Sequence, residues 1–439
     1  MSRFPARSIR CLIVLFAVLT AVSARAQFRE LRRSPGAKNE ISGISFVSPS
    51  TGYITYRFNN TVGYTTDSGR TFTQRTFRNS NTQMSMFMLA NLDMGVNING
   101  VKALSAQTLL LYGDALGLPI ILHSDNGGLS WRLVLVRPYN PGAPAFNEGI
   151  TDIEFPGNGS TGYAVHHEEV LRTTDGGLTW TPVFAATHQQ LARLSFPTPT
   201  TGYVCGGDKV YKTTNSGASW TAVPLPQRTG SWVNYAHVYF LTPSNGYLGE
   251  RSGEVYYRTT NGGASWTQQN EANRYAPYGD RELVFVNDST GFTPGGWMDV
   301  YRTDDYGRNW DRVRKTPEHF DSTYGLTSVH FLNEKTGWAS GTNGFLMMTT
   351  NGGASVYPAA RFRADTTGVQ ATGLVQLTNT SRKGFTYQWF RNDTLVGTGY
   401  HAQYAHYLYR AVDTVMLVVS DGTDTDTAYR YLNFPTPYV

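Results

Sequence analysis

The chain has 439 residues, with 37 Lys+Arg against 32 Asp+Glu and a formal net charge of +5. Arg3, Arg7, Arg10 and Arg25 lie in the first 26 residues, which hold no acid, so the remainder carries 33 basic side chains (37 less four) against 32 acidic. A balance of +1 excludes a nucleic-acid binder built on a basic surface, and the two cysteines, Cys11 and Cys205, exclude a disulfide scaffold.

Residues 1–26 read as a secretory signal: a basic start, an apolar run over 11–22 and a small-x-small cleavage site at Ala24-Arg25-Ala26. The apolar run is too short to span a membrane, and no other segment is long enough. The expected location is secreted, extracellular or periplasmic, on a bacterial surface. After cleavage only Cys205 remains, and a lone Cys in a strand reads as a small buried apolar residue. The mature N-terminus is basic, with Arg29, Arg32, Arg33 and Lys38, and reads as a solvated segment.

From residue 41 a short turn motif recurs seven times, most clearly as Thr173-Thr174-Asp175-Gly176-Gly177-Leu178-Thr179-Trp180. Its Asp or Asn positions are Asp67, Asn126, Asp175, Asn215, Asn261, Asp305 and Asn351, separated by 59, 49, 40, 46, 44 and 46 residues. The Asp or Asn is expected to accept backbone N–H groups in an Asx-type turn. The Gly at +2 suits a positive φ, the Thr or Ser at +4 is expected to start the next strand, and the aromatic at +5 to bury its ring. Four of the seven positions are Asn, which cannot carry acid–base chemistry, so the turns read as scaffold.

Each box is preceded by an apolar strand, a polar turn and a Gly-aromatic pair. Examples are Gly52-Tyr53, Gly162-Tyr163, Gly202-Tyr203, Gly246-Tyr247, Gly291-Phe292 and Gly337-Trp338; the second copy, over 101–104 and 109–112, is degenerate. Four short strands per repeat and seven repeats predict an all-β chain, a seven-bladed β-propeller over 27–357. The last repeat lacks a strand before Pro358, and residues 28–33 are expected to supply it. The long first gap reflects an insertion over 78–97 with Met84, Met86 and Met88 on alternate positions, read as gap-filling core.

The boxes resemble the Asp-box, or BNR, repeats of sialidases, sortilin-type receptors and some glycanases. Paired with the Gly-aromatic element they are most similar to the photosystem II stability/assembly factor family of seven-bladed propellers, over residues 41–357. That resemblance implies an assembly protein engaging a partner through a propeller face, without implying photosynthesis. Residues 358–439, with Tyr387-Gln388-Trp389 and the strand-like run 415–420, resemble PKD-type, immunoglobulin-like domains, which implies a small β-sandwich around Trp389. The run Phe390-Arg391-Asn392-Asp393 stands where that family carries an aromatic and Gly-Asp-Gly.

The boxes join strands three and four, so they share one face, and a site is expected on the other. The turns between strands two and three offer Arg57 and Asn59, Asp114, the run His166-His167-Glu168-Glu169, Asp208 and Lys209, Glu250, Arg251 and Glu254, Trp297 and Asp299, and Asn343. Inter-blade loops add Tyr139, Phe146, Trp232, Tyr235, Tyr275, Tyr278, Phe320 and Tyr324. From these, Arg57, Asp114, His166, Glu168, Lys209, Glu250, Arg251, Trp232, Trp297 and Asp299 are the candidate binding residues. Exposed aromatics among polar groups suit a protein or carbohydrate ligand. No cofactor or metal is expected: adjacent residues on a strand diverge, so the His-His-Glu-Glu run cannot easily converge on one ion. No catalytic residue is assigned. The chain lacks the Arg-Ile-Pro signature of sialidases, and no local context marks a pair among Asp114, Glu168, Glu250, Glu254 and Asp299 for glycoside hydrolysis. The expectation is a monomeric, non-enzymatic binding, adhesion or assembly protein. A glycoside hydrolase of sialidase-like or xyloglucanase-like type is the alternative.

Overall fold

A computed structural model of the full chain describes residues 28–32, 40–57, 60–76, 96–115, 117–136, 149–157, 159–186, 190–226, 234–250, 256–268, 283–295, 299–307, 310–314, 325–353, 358, 360–381, 384–406, 412–422 and 425–434. Seven four-stranded antiparallel sheets follow one another along the first 349 residues. Their first strands are Ile41–Phe46, Val96–Ala103, Asp152–Glu154, Leu191–Ser195, Tyr235–Phe240, Val284–Phe285 and Leu326–Phe331. These touch their neighbours around a common axis, and the first strand of sheet one contacts those of sheets two and seven, so the ring closes.

The seventh sheet takes its fourth strand from the N-terminus. Arg29–Arg32 runs antiparallel to Leu346–Thr349, with Arg29 opposite Met348 and Arg32 opposite Leu346. Phe28, beside that strand, is buried against Phe331 with ring centroids 6.5 Å apart. The segment expected to complete the last blade does so.

Every blade seam between sheets three and one, going round through seven, carries the same ring stack. The aromatic of each Gly-aromatic pair lies flat on the Phe that ends the next sheet's first strand: Tyr163 on Phe196 (3.8 Å), Tyr203 on Phe240 (3.4 Å), Tyr247 on Phe285 (4.0 Å), Phe292 on Phe331 (3.7 Å) and Trp338 on Phe46 (3.6 Å). The Gly of each pair leaves the other face of the Phe in its own sheet uncovered; a Cβ at Gly202 would run into Phe196. Sheet two breaks the pattern with Ala103 for the Phe and Leu109-Leu110 for Gly-aromatic. There Tyr53 tilts against Tyr64 and donates its hydroxyl to the Ala106 carbonyl at 2.7 Å. The first strand of that sheet begins at Val96, inside the expected insertion; Met84, Met86 and Met88 lie outside the described residues.

The boxes fold as Asx-type turns. Asp175 Oδ1 accepts the Leu178 and Thr179 amides at 3.0 and 2.9 Å. Thr173, two residues earlier, donates its hydroxyl to Asp175 and accepts the Gly177 amide. The residue at +4 does not start a strand: Thr179 stays in the turn, donating its hydroxyl to Asp175 Oδ2 at 2.6 Å, and the strand begins at Thr181. The +5 ring is buried only at Trp131 and Trp310; Phe72, Trp180, Trp220 and Trp266 are half-buried.

Residues 362–433 form two further sheets, of three and four strands, around Phe362, Val375, Leu377, Trp389, Val415, Leu417 and Val419. Trp389 is fully buried and donates its indole N–H to the Gly399 carbonyl at 2.9 Å. Asn392 and Asp393 both take positive φ, 45° and 63°, in the two-residue hairpin between Thr386–Arg391 and Thr394–Gly397. Asn and Asp tolerate that conformation, which is how this chain turns without glycine. The sandwich meets the outer strand of sheet six through Arg361 and Asp311. Arg361 Nε donates to Asp311 Oδ1 at 3.1 Å, and a second guanidinium N–H engages Oδ2.

Candidate functional site

The first strands turn their unpaired edges to the axis, around which they enclose a cavity of about 780 Å³. A space of that size falls within the ordinary range of ligand pockets. Its rim, on the face away from the boxes, holds Glu40, Arg57, Asn97 and Asp114. Arg57 and Glu40 form an ion pair at 3.8 Å. Asp114 is 6% exposed and accepts the Asn97 side-chain amide and the Gly117 backbone amide, each at 3.1 Å.

Deeper in, the walls carry Asp152, Arg193 and His237, and the far end carries Lys102, Glu154, Ser195 and Tyr239. This last level follows a rule. The residue before the closing Phe (or Ala) of each first strand is Ser45, Lys102, Glu154, Ser195, Tyr239, Val284 or His330. Most of these reach the backbone of the next sheet. Ser45 accepts the Ala103 amide at 3.1 Å, Glu154 the Phe196 amide at 2.8 Å and Ser195 the Phe240 amide at 2.8 Å. Tyr239 donates to the Phe285 carbonyl, and His330 Nε2 lies 3.2 Å from the Phe46 amide nitrogen. The result is a belt of side chains lacing successive blades. Burial raises the Glu154 carboxyl to about 7, partly offset by the Lys102 ammonium and with Asp152 adding to the rise.

Of the candidates drawn from the turns, Arg57 and Asp114 line this cavity and the other described ones do not. His166 is half-buried, its ring 6.3 Å from that of His167, whose Nδ1 lies 3.9 Å from Glu168. Lys209 pairs with Asp208 at 3.2 Å on the surface. Glu250 is 3% exposed and accepts the Tyr257 hydroxyl at 2.9 Å; Asp299 is 7% exposed and sits 3.6 Å from Arg312. Arg251, Trp232 and Trp297 lie outside the described residues, as do Asn59, Glu254 and the loop aromatics other than Tyr235. Tyr235 is not in a loop: it opens a first strand and is 2% exposed. Among the described residues no three His, Cys, Asp or Glu side chains are grouped to hold a metal.

The sequence signal for the axial residues is a polar or charged residue just before the closing Phe of a first strand, as in Asp152-Ile153-Glu154-Phe155. The turns, being irregular, draw attention away from it.

Residues 145–274 match the family model described as photosynthesis system II assembly factor YCF48. Among solved structures, YCF48 from Cyanidioschyzon merolae is 16% identical with a TM-score of 0.54, covering 74% of this chain and 98% of that one. YCF48 bound to D1 peptide is 17% identical with a TM-score of 0.54, over 74% and 97%. An ancestral GH74 enzyme is 14% identical with a TM-score of 0.53, over 90% of this chain and 60% of that one. Among curated proteins, none matches by sequence. These likenesses show the BNR-type propeller fold.

Proposed function

We propose that this chain is a secreted, non-enzymatic binding propeller that takes a protein partner at the mouth of the axial cavity, on the face opposite the boxes. The observation that carries the reading is the cavity itself: seven first strands converge on one polar-lined space, and its rim presents the ion pair Arg57–Glu40 and the hydrogen-bonded pair Asn97–Asp114. Two comparisons support it. The matched family is named for an assembly factor, and a propeller of the same fold has been solved with a peptide bound. The segment 358–439 serves as a PKD-like spacer in this reading, and residues 1–26 as the export signal.

The enzyme reading finds less support in the geometry. Glu250 and Asp299 are buried against Tyr257 and Arg312, outside the cavity. A general acid or nucleophile must reach the substrate. The fold of a GH74 enzyme keeps glycoside hydrolysis as the alternative.

The test is binding of the full chain to a peptide array, repeated with Arg57→Glu at unchanged melting temperature. Loss of array binding supports the rim as the site, and unchanged binding removes it. Turnover of a chromogenic glycoside that Glu250→Gln or Asp299→Asn abolishes would replace the binding reading with the enzymatic one.

A further inference from the structure

Lys102 departs from the belt. Its counterparts in the neighbouring strands spend their polar groups on the next blade, whereas no hydrogen bond or ion pair joins the Lys102 ammonium to a described residue. It lines the far end of the cavity, close enough to Glu154 and His330 to influence both electrostatically. An ammonium so placed has lost part of its hydration without a hydrogen-bonded counter-ion, since the nearby Glu154 and Asp152 carboxylates accept the Phe196 and Leu194 amides, which leaves its donors to a ligand's negative group.

We propose that Lys102 receives a carboxylate carried at the tip of an extended ligand that enters the cavity from the rim. The proposal rests on the cavity mouth being the binding site, and adds the chemistry that is recognised there.

Size and charge select this ligand. From the rim level at Ile41 to the belt level at Ser45 is four residues of strand, a depth of about 13 Å. That admits a chain in extended form and not a folded surface. The charge around the far end consists of Lys102 against Asp152 and Glu154, with Arg193 and His237 further up the wall. With Glu154 neutral, the Lys102 ammonium and the Arg193 guanidinium balance Asp152 and one further negative charge, which fits a monoanion and not a phosphate dianion. Glu154 resolves the remaining repulsion. Its Oε2 is held by the Phe196 amide. A carboxyl poised at about 7 takes up a proton from solvent when a second carboxylate arrives, and the resulting O–H donates to the ligand. Lys102 and protonated Glu154 then hold the carboxylate from two sides, while Asp152, bonded to the Leu194 amide, and Tyr239, bonded to the Phe285 carbonyl, stay committed.

Two sources offer this group, the free C-terminus of a peptide and a small carboxylic acid, and the experiment separates them. The full chain is presented with a pool of N-acetylated tetrapeptides, each as free acid and as amide, and separately with butyrate. Enrichment of free acids over amides by tenfold or more is the result expected for a peptide terminus; binding of butyrate alone assigns a small acid. Lys102→Met, with Lys102→Gln as a second variant and the melting temperature as the check on folding, removes the preference, and Lys102→Arg retains it. Binding tightens as pH falls from 8 to 6, and Glu154→Gln flattens that slope. Equal retention of acids and amides with no butyrate binding, or a preference that survives Lys102→Met, overturns the proposal. In that event array binding that still depends on Arg57 leaves the rim site standing, whereas loss of Arg57 dependence removes the site itself.

Discussion

Tyr203 and Phe240 lie face to face across the seam between the fourth and fifth blades, with ring centroids 3.4 Å apart and planes 2° from parallel. Tyr203 also donates its hydroxyl over the seam, to the Pro243 carbonyl at 2.9 Å. On its far side Phe240 rests on Gly246, where a Cβ would strike the ring. One stack thus explains three positions of the repeat: Gly makes the space, Phe fills it, and the aromatic of the preceding blade covers it.

Gly246→Ala should therefore act on the seam and not only on its own strand. The added methyl must push Phe240 off Tyr203, and overpacking of this kind costs about 1–3 kcal/mol. A urea titration should show the midpoint falling by a corresponding amount. A midpoint shift within error would mean that the stack does not hold the seam.

The closing strand supplies a second prediction. Phe28 is 6% exposed, in the core shared by sheets six and seven, and Arg29–Arg32 is hydrogen-bonded to Leu346–Thr349. Phe28→Ala should cost about 3–5 kcal/mol, as for other buried Phe truncations. Deleting residues 27–38 should lower the melting temperature further, because it also leaves a sheet edge unpaired. An unchanged melting temperature for the deletion would show that the ring closes without this strand.

Much of this architecture was legible because it is local. A box is made from eight consecutive residues, so Thr173, Asp175 and Gly177 announce their turn without reference to the rest of the chain. Strand closure was legible too, since a repeat short of one strand needs a donor. The positions misread were those whose environment is set by the ring. Tyr235 looked like a loop aromatic because nothing nearby shows that it opens a first strand, and Lys102 passed unnoticed because facing the axis is a property of seven strands together. Glu250 and Asp299 looked like exposed turn acids, yet their partners Tyr257 and Arg312 lie 7 and 13 residues further on, and only the folded sheet brings them near.

The two forms of the box should respond differently to acid. In Asp67 and Asp175 burial pulls the carboxyl up, but the donors from Thr71 and Thr65, and from Thr179 and Thr173, together outweigh it and bring each to about 2. Where the residue is Asn the last bond reverses: Asn126, Asn215 and Asn261 donate to Ser130, Ser219 and Ser265 at 2.7, 2.8 and 2.9 Å. A folded-state value below the unfolded one, near 3.9 for Asp, contributes stability above pH 4 that is lost as pH falls toward 2. Asp67→Asn with Asp175→Asn should flatten the fall in melting temperature between pH 4 and pH 2, because Asn keeps the turn without titrating. An identical acid profile for the double variant would place the acid sensitivity elsewhere.

The junction between propeller and sandwich rests on a nearly buried ion pair. Arg361 and Asp311 have side chains only 8% and 11% exposed, and both oxygens of Asp311 take a guanidinium N–H. Removing one partner strands the other charge away from water, which costs about 3–5 kcal/mol, while replacing both by apolar groups of similar volume is close to neutral. Asp311→Leu should therefore destabilise the sandwich contact, and Arg361→Met added to it should restore most of the loss. Limited proteolysis of the full chain measures the contact directly: release of the sandwich from the propeller should accelerate in Asp311→Leu and return toward the parent rate in the double variant. Equal cleavage rates in all three proteins would show that this pair does not hold the two parts together.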